Sequence, residues 1–270
     1  MSDPYKLFNK YLDLLNVDRS EPSFELLRQI VKAHLIKIPF ENISKLLYKK
    51  RGINYIPDLM TFLDGIEQYN FGGTCYSNNY YLYLLLKNIG FDVKLCGADM
   101  KNPDVHLISM VKIAGYEFIA DAGYAAPFFE PLPRNLTEDL IIWQGKEKYI
   151  VKPQNENGNT KVEQYYDNEL RHWYTAKPQP RKIDEFRKVI ADSYGDNAAF
   201  MNALRIIRFY ENGFRSLRNL TLIELDGPDY SSIEISRNKL PEVVNEKFGM
   251  PEILVVEAIS MLKVLRSIYD

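Results

Sequence analysis

Gly72-Gly73-Thr74-Cys75 stands immediately before a largely apolar run that ends at Ile89-Gly90. Two successive glycines permit a tight backbone with positive φ and no side-chain crowding. The cysteine then falls on the first turn of a helix, where unpaired N–H groups and the helix dipole favour an anion. A thiolate is the better nucleophile, so this placement suits covalent catalysis. The other reading is a small buried residue at a packed helix start.

His106 lies in a β-rich run over 105–113, and Asp121 ends the next run, 116–120. If Ala114-Gly115 is a two-residue turn, Ile113 pairs with Tyr116. Position 106 then opposes 123, with 121 as its diagonal neighbour on the same face, close enough for a carboxylate to reach an imidazole. A one-residue slip would put them on opposite faces. Cys75, His106 and Asp121 are thus a nucleophile, a base and an orienting acid, the parts of a thiol acyl-transfer triad. His34 and His172 are expected to be histidines satisfied by backbone carbonyls. Cys96 sits in an alternating strand and is expected to be structural. No CxxC or HxxxH spacing is present, so no metal is expected.

The elements that must position these residues follow from periodicity. Helices are predicted over 5–15, 23–36, 58–68 and 75–89, the last closed by Gly90. Strands are predicted over 91–95, 105–113, 116–120, 141–143, 149–151, 172–174, 204–210 and 220–225, with helices over 182–194 and 251–269. The class is α+β. It divides into a helical part, 1–89, carrying the cysteine, a β part, 90–185, carrying the histidine and aspartate, and a mixed α/β part, 186–270.

Composition bounds the function. Of 270 residues 46% are hydrophobic and 26% charged, which excludes a disordered or fibrous chain. With 34 basic and 36 acidic residues the net charge is −2, so no nucleic-acid partner is expected. The Lys49-Lys50-Arg51 run is expected to be a solvated face. Two cysteines are no disulfide framework, and no signal peptide or membrane span is legible, so a cytoplasmic protein is expected.

The residues together resemble the arylamine N-acetyltransferase family. Ile38-Pro39-Phe40-Glu41-Asn42 resembles its I-P-F-E-N segment, and Gly72-Gly73-Thr74-Cys75 its R-G-G-x-C. Val105-His106-Leu107 and Ala120-Asp121-Ala122-Gly123-Tyr124 resemble its T-H-x and V-D-V-G-F. The resemblance implies a helical bundle, a central antiparallel β-barrel and a C-terminal α/β lid around a cysteine-protease or transglutaminase-like core. It implies acetyl transfer from acetyl-CoA, as co-substrate, through Cys75 to an arylamine or arylhydrazine. It also implies that Phe40, Val105, Gly123 and Tyr124 contact acceptor or coenzyme A. A thiol hydrolase or amide synthase on the same triad, and a non-catalytic binder of the same fold, are the alternatives. Two departures stand out: the family's arginine before Gly-Gly is Phe71, and its glycine pair after the aspartate is Ala125-Ala126. The first is expected to weaken the site, and the second to restrict the backbone where coenzyme A approaches.

Overall fold

The structure, a computed structural model, describes residues 4–262 and 265. Its helices are α1 (Pro4–Leu15), α2 (Phe24–Lys37), α3 (Ile43–Lys50), α4 (Leu59–Tyr69), α5 (Cys75–Ile89), α6 (Arg187–Asp192), α7 (Leu240–Phe248) and α8 (Glu252–Ile259). Its strands are β1 (Phe40–Glu41), β2 (Asp92–Asp99), β3 (His106–Ile113), β4 (Tyr116–Ala120), β5 (Leu132–Pro133), β6 (Leu140–Gln144), β7 (Glu147–Val151), β8 (Thr160–Tyr166), β9 (Glu169–Pro180), β10 (Arg205–Tyr210), β11 (Gly213–Arg218), β12 (Thr221–Asp226) and β13 (Asp229–Glu234). The class is α+β. Contacts divide the chain into two compact units, Met1–Leu35 with Asn79–Phe186, and Ile36–Asn78 with Arg187–Asp270.

The first unit is built on an eight-stranded antiparallel sheet in the order β5-β4-β3-β2-β9-β8-β7-β6. The order leaves β5 and β6 as edges, so the expected barrel is an open sheet among the described residues. The Ala114-Gly115 turn has φ of 50° and 87°. Both are positive, as a type I′ turn requires. That turn sets Ile113 opposite Tyr116 and runs the register to Ser109 opposite Ala120. Strand β3 is buried over its first six residues, as a central strand should be. Helix α1 buries Phe8, Tyr11, Leu12 and Leu15, one helical stripe, and α2 starts where Ser23 Oγ accepts from the Leu26 N–H at 3.1 Å.

The second unit carries a five-stranded sheet in the order β1-β10-β11-β12-β13, joined after β10 by three short turns. Ile43, Leu46 and Leu47 of α3 share one core with Ile206, Leu217, Val244 and Val255. Asn42 ties this core together. Its Nδ2 donates to the carbonyls of Phe200 and Ala203, both at 2.7 Å, and its Oδ1 accepts from the Arg205 N–H at 2.8 Å.

Several elements differ from the sequence expectation. Helix α3 is short and ends in the Lys49-Lys50 run, which hid its apolar face. Strand β8 mixes Lys161, Glu163 and Gln164 with a single aliphatic residue, Val162, and β13 is exposed throughout, so neither shows a hydrophobic signal. The helix expected over 182–194 is a 3₁₀ turn, Ile183–Phe186, leading into α6. Helix α8 ends at Ile259, and part of its predicted extension, 263–264 and 266–269, lies outside the described residues.

Replacing Asn42 by alanine strands a buried carbonyl, a partly buried carbonyl and a buried N–H. The expected loss is ~3–5 kcal/mol, since each buried unsatisfied group costs ~1–3 kcal/mol. Urea unfolding measures it, and a loss below ~1 kcal/mol would show that the asparagine is not the tie described.

Candidate active site

The cysteine lies in the second unit, as the first residue of α5, and is 9% exposed. The loop before it is packed to the backbone. A Cβ on Gly72 would lie 1.9 Å from the Pro39 carbonyl oxygen, and Gly73 has φ of 106°, so both positions require glycine. Glu41, fully buried, holds this loop. Its carboxyl accepts from the Gly72 N–H at 3.1 Å, the Ser44 N–H at 2.9 Å and the Ser44 hydroxyl at 2.5 Å, while its own N–H donates to the Gly73 carbonyl at 3.0 Å. Asn78 Nδ2 donates to the same carbonyl at 3.1 Å. No cation pairs with Glu41 among the described residues, and burial pushes its carboxyl above the usual range against the pull of those donors. Phe71 is 7% exposed and packs against Tyr69, with ring centroids 5.5 Å apart. It joins the unit's apolar core, so this position contributes packing and no charge.

The histidine and aspartate lie in the first unit. His106 Nε2 is 2.8 Å from Asp121 Oδ2, with both side chains sealed from solvent. Asp121 Oδ1 accepts from Asn79 Nδ2 at 2.7 Å and from the Gly123 N–H at 3.0 Å. Asn79 is itself clamped, donating to the Leu107 carbonyl at 2.5 Å and accepting from the Ala122 N–H at 2.9 Å. Burial raises the Asp121 carboxyl, but the His106 charge and these hydrogen bonds outweigh it and hold the carboxyl below its ordinary value. The register predicted this pair. Asn79 was not predicted, although two adjacent asparagines inside a helix are poor helix formers and were a legible signal.

An aromatic cluster surrounds the histidine. The Tyr124 ring is 5.8 Å from His106 and 4.8 Å from Tyr174, both edge-on, and is stacked on Phe128 at 6.0 Å. The Tyr124 hydroxyl is 2.8 Å from His172 Nδ1. A tyrosine hydroxyl meets Nδ1 of each remaining histidine, Tyr11 at His34 and Tyr124 at His172. Burial, and then the His106 charge, lower His172 to about 4. Gly123 is buried beside Asp121, Val105 is half-buried next to His106, and Phe40, 7% exposed, lies in the other unit against Phe200 at 5.5 Å. Cys96 is fully buried, and burial pushes its thiol up to about 12, which suits an inert residue. Among the described residues no group of three or more His, Cys, Asp or Glu could hold a metal ion, and no helix is long and apolar enough to cross a membrane.

Ala125 has φ of 63°. It takes the left-handed conformation that a glycine would take, so alanine strains this turn without straightening it. The strain is ~1–2 kcal/mol, and Ala125→Gly is expected to raise stability by about 0.5–1 kcal/mol after the added chain entropy is set against it. An unchanged or lower Tm would show the turn to be relaxed. His172 gives a pH prediction. Between its ordinary value of 6.5 and its folded value of about 4, the unfolded chain binds a proton that the folded chain refuses. Its contribution to stability is therefore intact above pH 6.5 and is lost as the pH falls toward 4. Unfolding free energy measured across that range should fall less steeply for His172→Gln, by about 2–3 kcal/mol. Parallel curves would count against a neutral buried imidazole.

A family model described as N-acetyltransferase matches residues 23–253. A pineal-gland arylamine N-acetyltransferase isozyme from Gallus gallus is 28% identical over 196 residues, and arylamine N-acetyltransferase 1 from Bos taurus is 28% identical over 197. These alignments cover 62–63% of this chain and 64–66% of the relatives, so the chain spans about two thirds of their length. Among solved structures, the arylamine N-acetyltransferase from Mycobacterium abscessus matches with a TM-score of 0.78 at 16% identity over 94% of both chains. The Mycobacterium marinum enzyme in complex with CoA matches with a TM-score of 0.77 at 18% identity, over 96% of this chain and 100% of that one. At these identities the solved structures speak for the fold, while the family model covers most of the sequence. The chain belongs to the arylamine N-acetyltransferase family.

Proposed function

We propose that this protein transfers an acetyl group from acetyl-CoA to an arylamine or arylhydrazine through an acyl-cysteine intermediate. The observation that carries the reading is the sealed His106–Asp121 pair, held by Asn79 of α5, the helix whose first residue is Cys75. Cys75 and Asn79 are four residues apart on that helix and so share one face. The family membership and the coenzyme A complex of a structural neighbour support the choice of donor.

The chemistry divides into two half-reactions. Asp121 fixes the imidazole tautomer and stabilises its protonated form. The Cys75 thiolate, paired with the His106 imidazolium, attacks the thioester carbonyl. The C–S bond to coenzyme A breaks, and His106 supplies the proton that the leaving thiolate takes. Coenzyme A departs. The amine nitrogen then attacks the acetyl-cysteine, His106 accepts its proton, and the cysteine leaves as thiolate. Splitting one transfer into two lowers each barrier. Tyr124 supplies a half-buried ring beside His106 for an aromatic acceptor to stack on, with Phe40, Val105 and Gly123 as the further binding residues. The left-handed turn at Ala125 leaves the backbone shaped as a glycine would shape it, which weighs against a binder that has lost its cofactor. Two free buried thiols fit the reducing cytoplasm.

Enzyme mixed with acetyl-CoA alone should gain one acetyl group on the peptide holding Cys75, seen by mass spectrometry. An arylamine should discharge it, and water only slowly. Rates at several fixed acetyl-CoA levels should give parallel double-reciprocal lines. Cys75→Ser and His106→Ala should abolish transfer, and Asp121→Asn should fold with activity reduced by ~10²-fold or more. Intersecting lines without acylated peptide would point to direct transfer. Rapid discharge by water would favour the hydrolase, and no acylation by any thioester the non-catalytic binder.

A further inference from the structure

Lys45 is the one lysine on the buried face of α3, and it is 4% exposed. An ammonium ion taken out of water needs compensation. Its Nζ is 2.6 Å from the Ser193 hydroxyl oxygen, and it lies 4.1 Å from the Tyr194 ring centroid and 5.4 Å from that of Tyr76. Among the described residues no carboxylate pairs with it. The groups around it are accounted for. Glu41 is occupied by Ser44 and Gly72, and Asp192 pairs with Lys188 at 2.6 Å. Burial raises the phenols of Tyr48, Tyr76 and Tyr194, so all three stay neutral near pH 7. The lysine borders a small cavity whose other walls include Gly73, Thr74, Tyr76 and Ser77, the residues on either side of Cys75 in the chain. Burial pulls the amine down to about 8, and the charge of Cys75 is the influence that opposes it.

We propose that Lys45 is a positioning residue for acylation, a buried cation whose counter-ion is the thiolate of Cys75. The inference rests on Cys75 being the nucleophile. It adds a second source of positive potential behind the helix start, independent of the imidazole. Lys45 acts on the half-reaction that begins from a thiolate. It has no charge to stabilise in the neutral acetyl-cysteine and acts on discharge only as the cysteine leaves as thiolate.

Iodoacetamide alkylation of Cys75 tests this without any acetyl donor. In Lys45→Met, which keeps the length and removes the charge, the midpoint of the alkylation pH profile should rise by about one unit, and alkylation below the native midpoint should slow ~10-fold. kcat/KM for acetyl-CoA should fall with it. A purely structural role would leave the alkylation midpoint in place. The reciprocal measurement guards against a variant that fails to fold. In Cys75→Ala, the NMR titration of the Lys45 ammonium should move to lower pH, because a coupling between two sites acts equally on both. An unmoved Lys45 titration, or an unmoved alkylation midpoint in folded Lys45→Met, overturns the proposal. If both shifts appear and acetyl-CoA still fails to acylate, the coupling stands and the acetyl-transfer reading falls.

Discussion

A carboxylate sealed from water must receive its hydrogen bonds from the protein, and Asp121 is the point at which this requirement organises the site. Its oxygens take a ring nitrogen from β3, an amide from α5 and a backbone N–H from the turn after β4. Three elements must therefore meet at one buried point, in one register. The type I′ turn between β3 and β4 sets that register, and Asn79 locks it by bonding to both the Leu107 carbonyl and the Ala122 N–H. Moving any one of them leaves a buried charge short of a donor, which is among the costliest defects a folded chain can carry.

The second unit solves a related problem differently. Glu41 is also buried, but its partners are neutral donors from the loop that it shapes. The carboxyl thus acts as a clasp on Gly72-Gly73, delivering the chain to the start of α5. Where the family pattern has an arginine, Phe71 adds to the apolar core that α3, α7 and α8 share with the sheet. The charge absent at 71 does not return as a partner of Glu41. This unit does bury a cation at Lys45, held over Tyr194 and Tyr76. Packing and neutral hydrogen-bond donors hold the loop, and the amine of Lys45 pairs with no carboxylate among the described residues.

The aromatic cluster around His106 shows the same economy. Tyr124 stacks on Phe128, meets Tyr174 edge-on and places its hydroxyl on His172. His172, held neutral near pH 7, adds no positive charge to this cluster. The left-handed Ala125 that follows lets the chain turn away directly after this ring, at the cost of local strain.

The chain's own pattern determined the elements whose signals are local. The alternation and the two-residue turn of 105–120 place His106 and Asp121 on one face, and Gly-Gly before an apolar run places Cys75 on a helix start. Both follow from periods of 2.0 and 3.6 residues and from the torsions glycine allows. Tertiary structure decided what periodicity does not encode. Strand β13 has no buried residue and exists because β12 offers it an edge. The eight-stranded sheet stays open because β5 and β6 find no further partner among the described residues. Asn79, Glu41 and Lys45 read in sequence as an awkward helix residue, part of a motif and one more surface charge. Their roles come from residues up to 148 positions away in the chain, such as Ser193 beside Lys45. A buried polar group acquires its function from whatever satisfies it, and that partner is supplied by the fold.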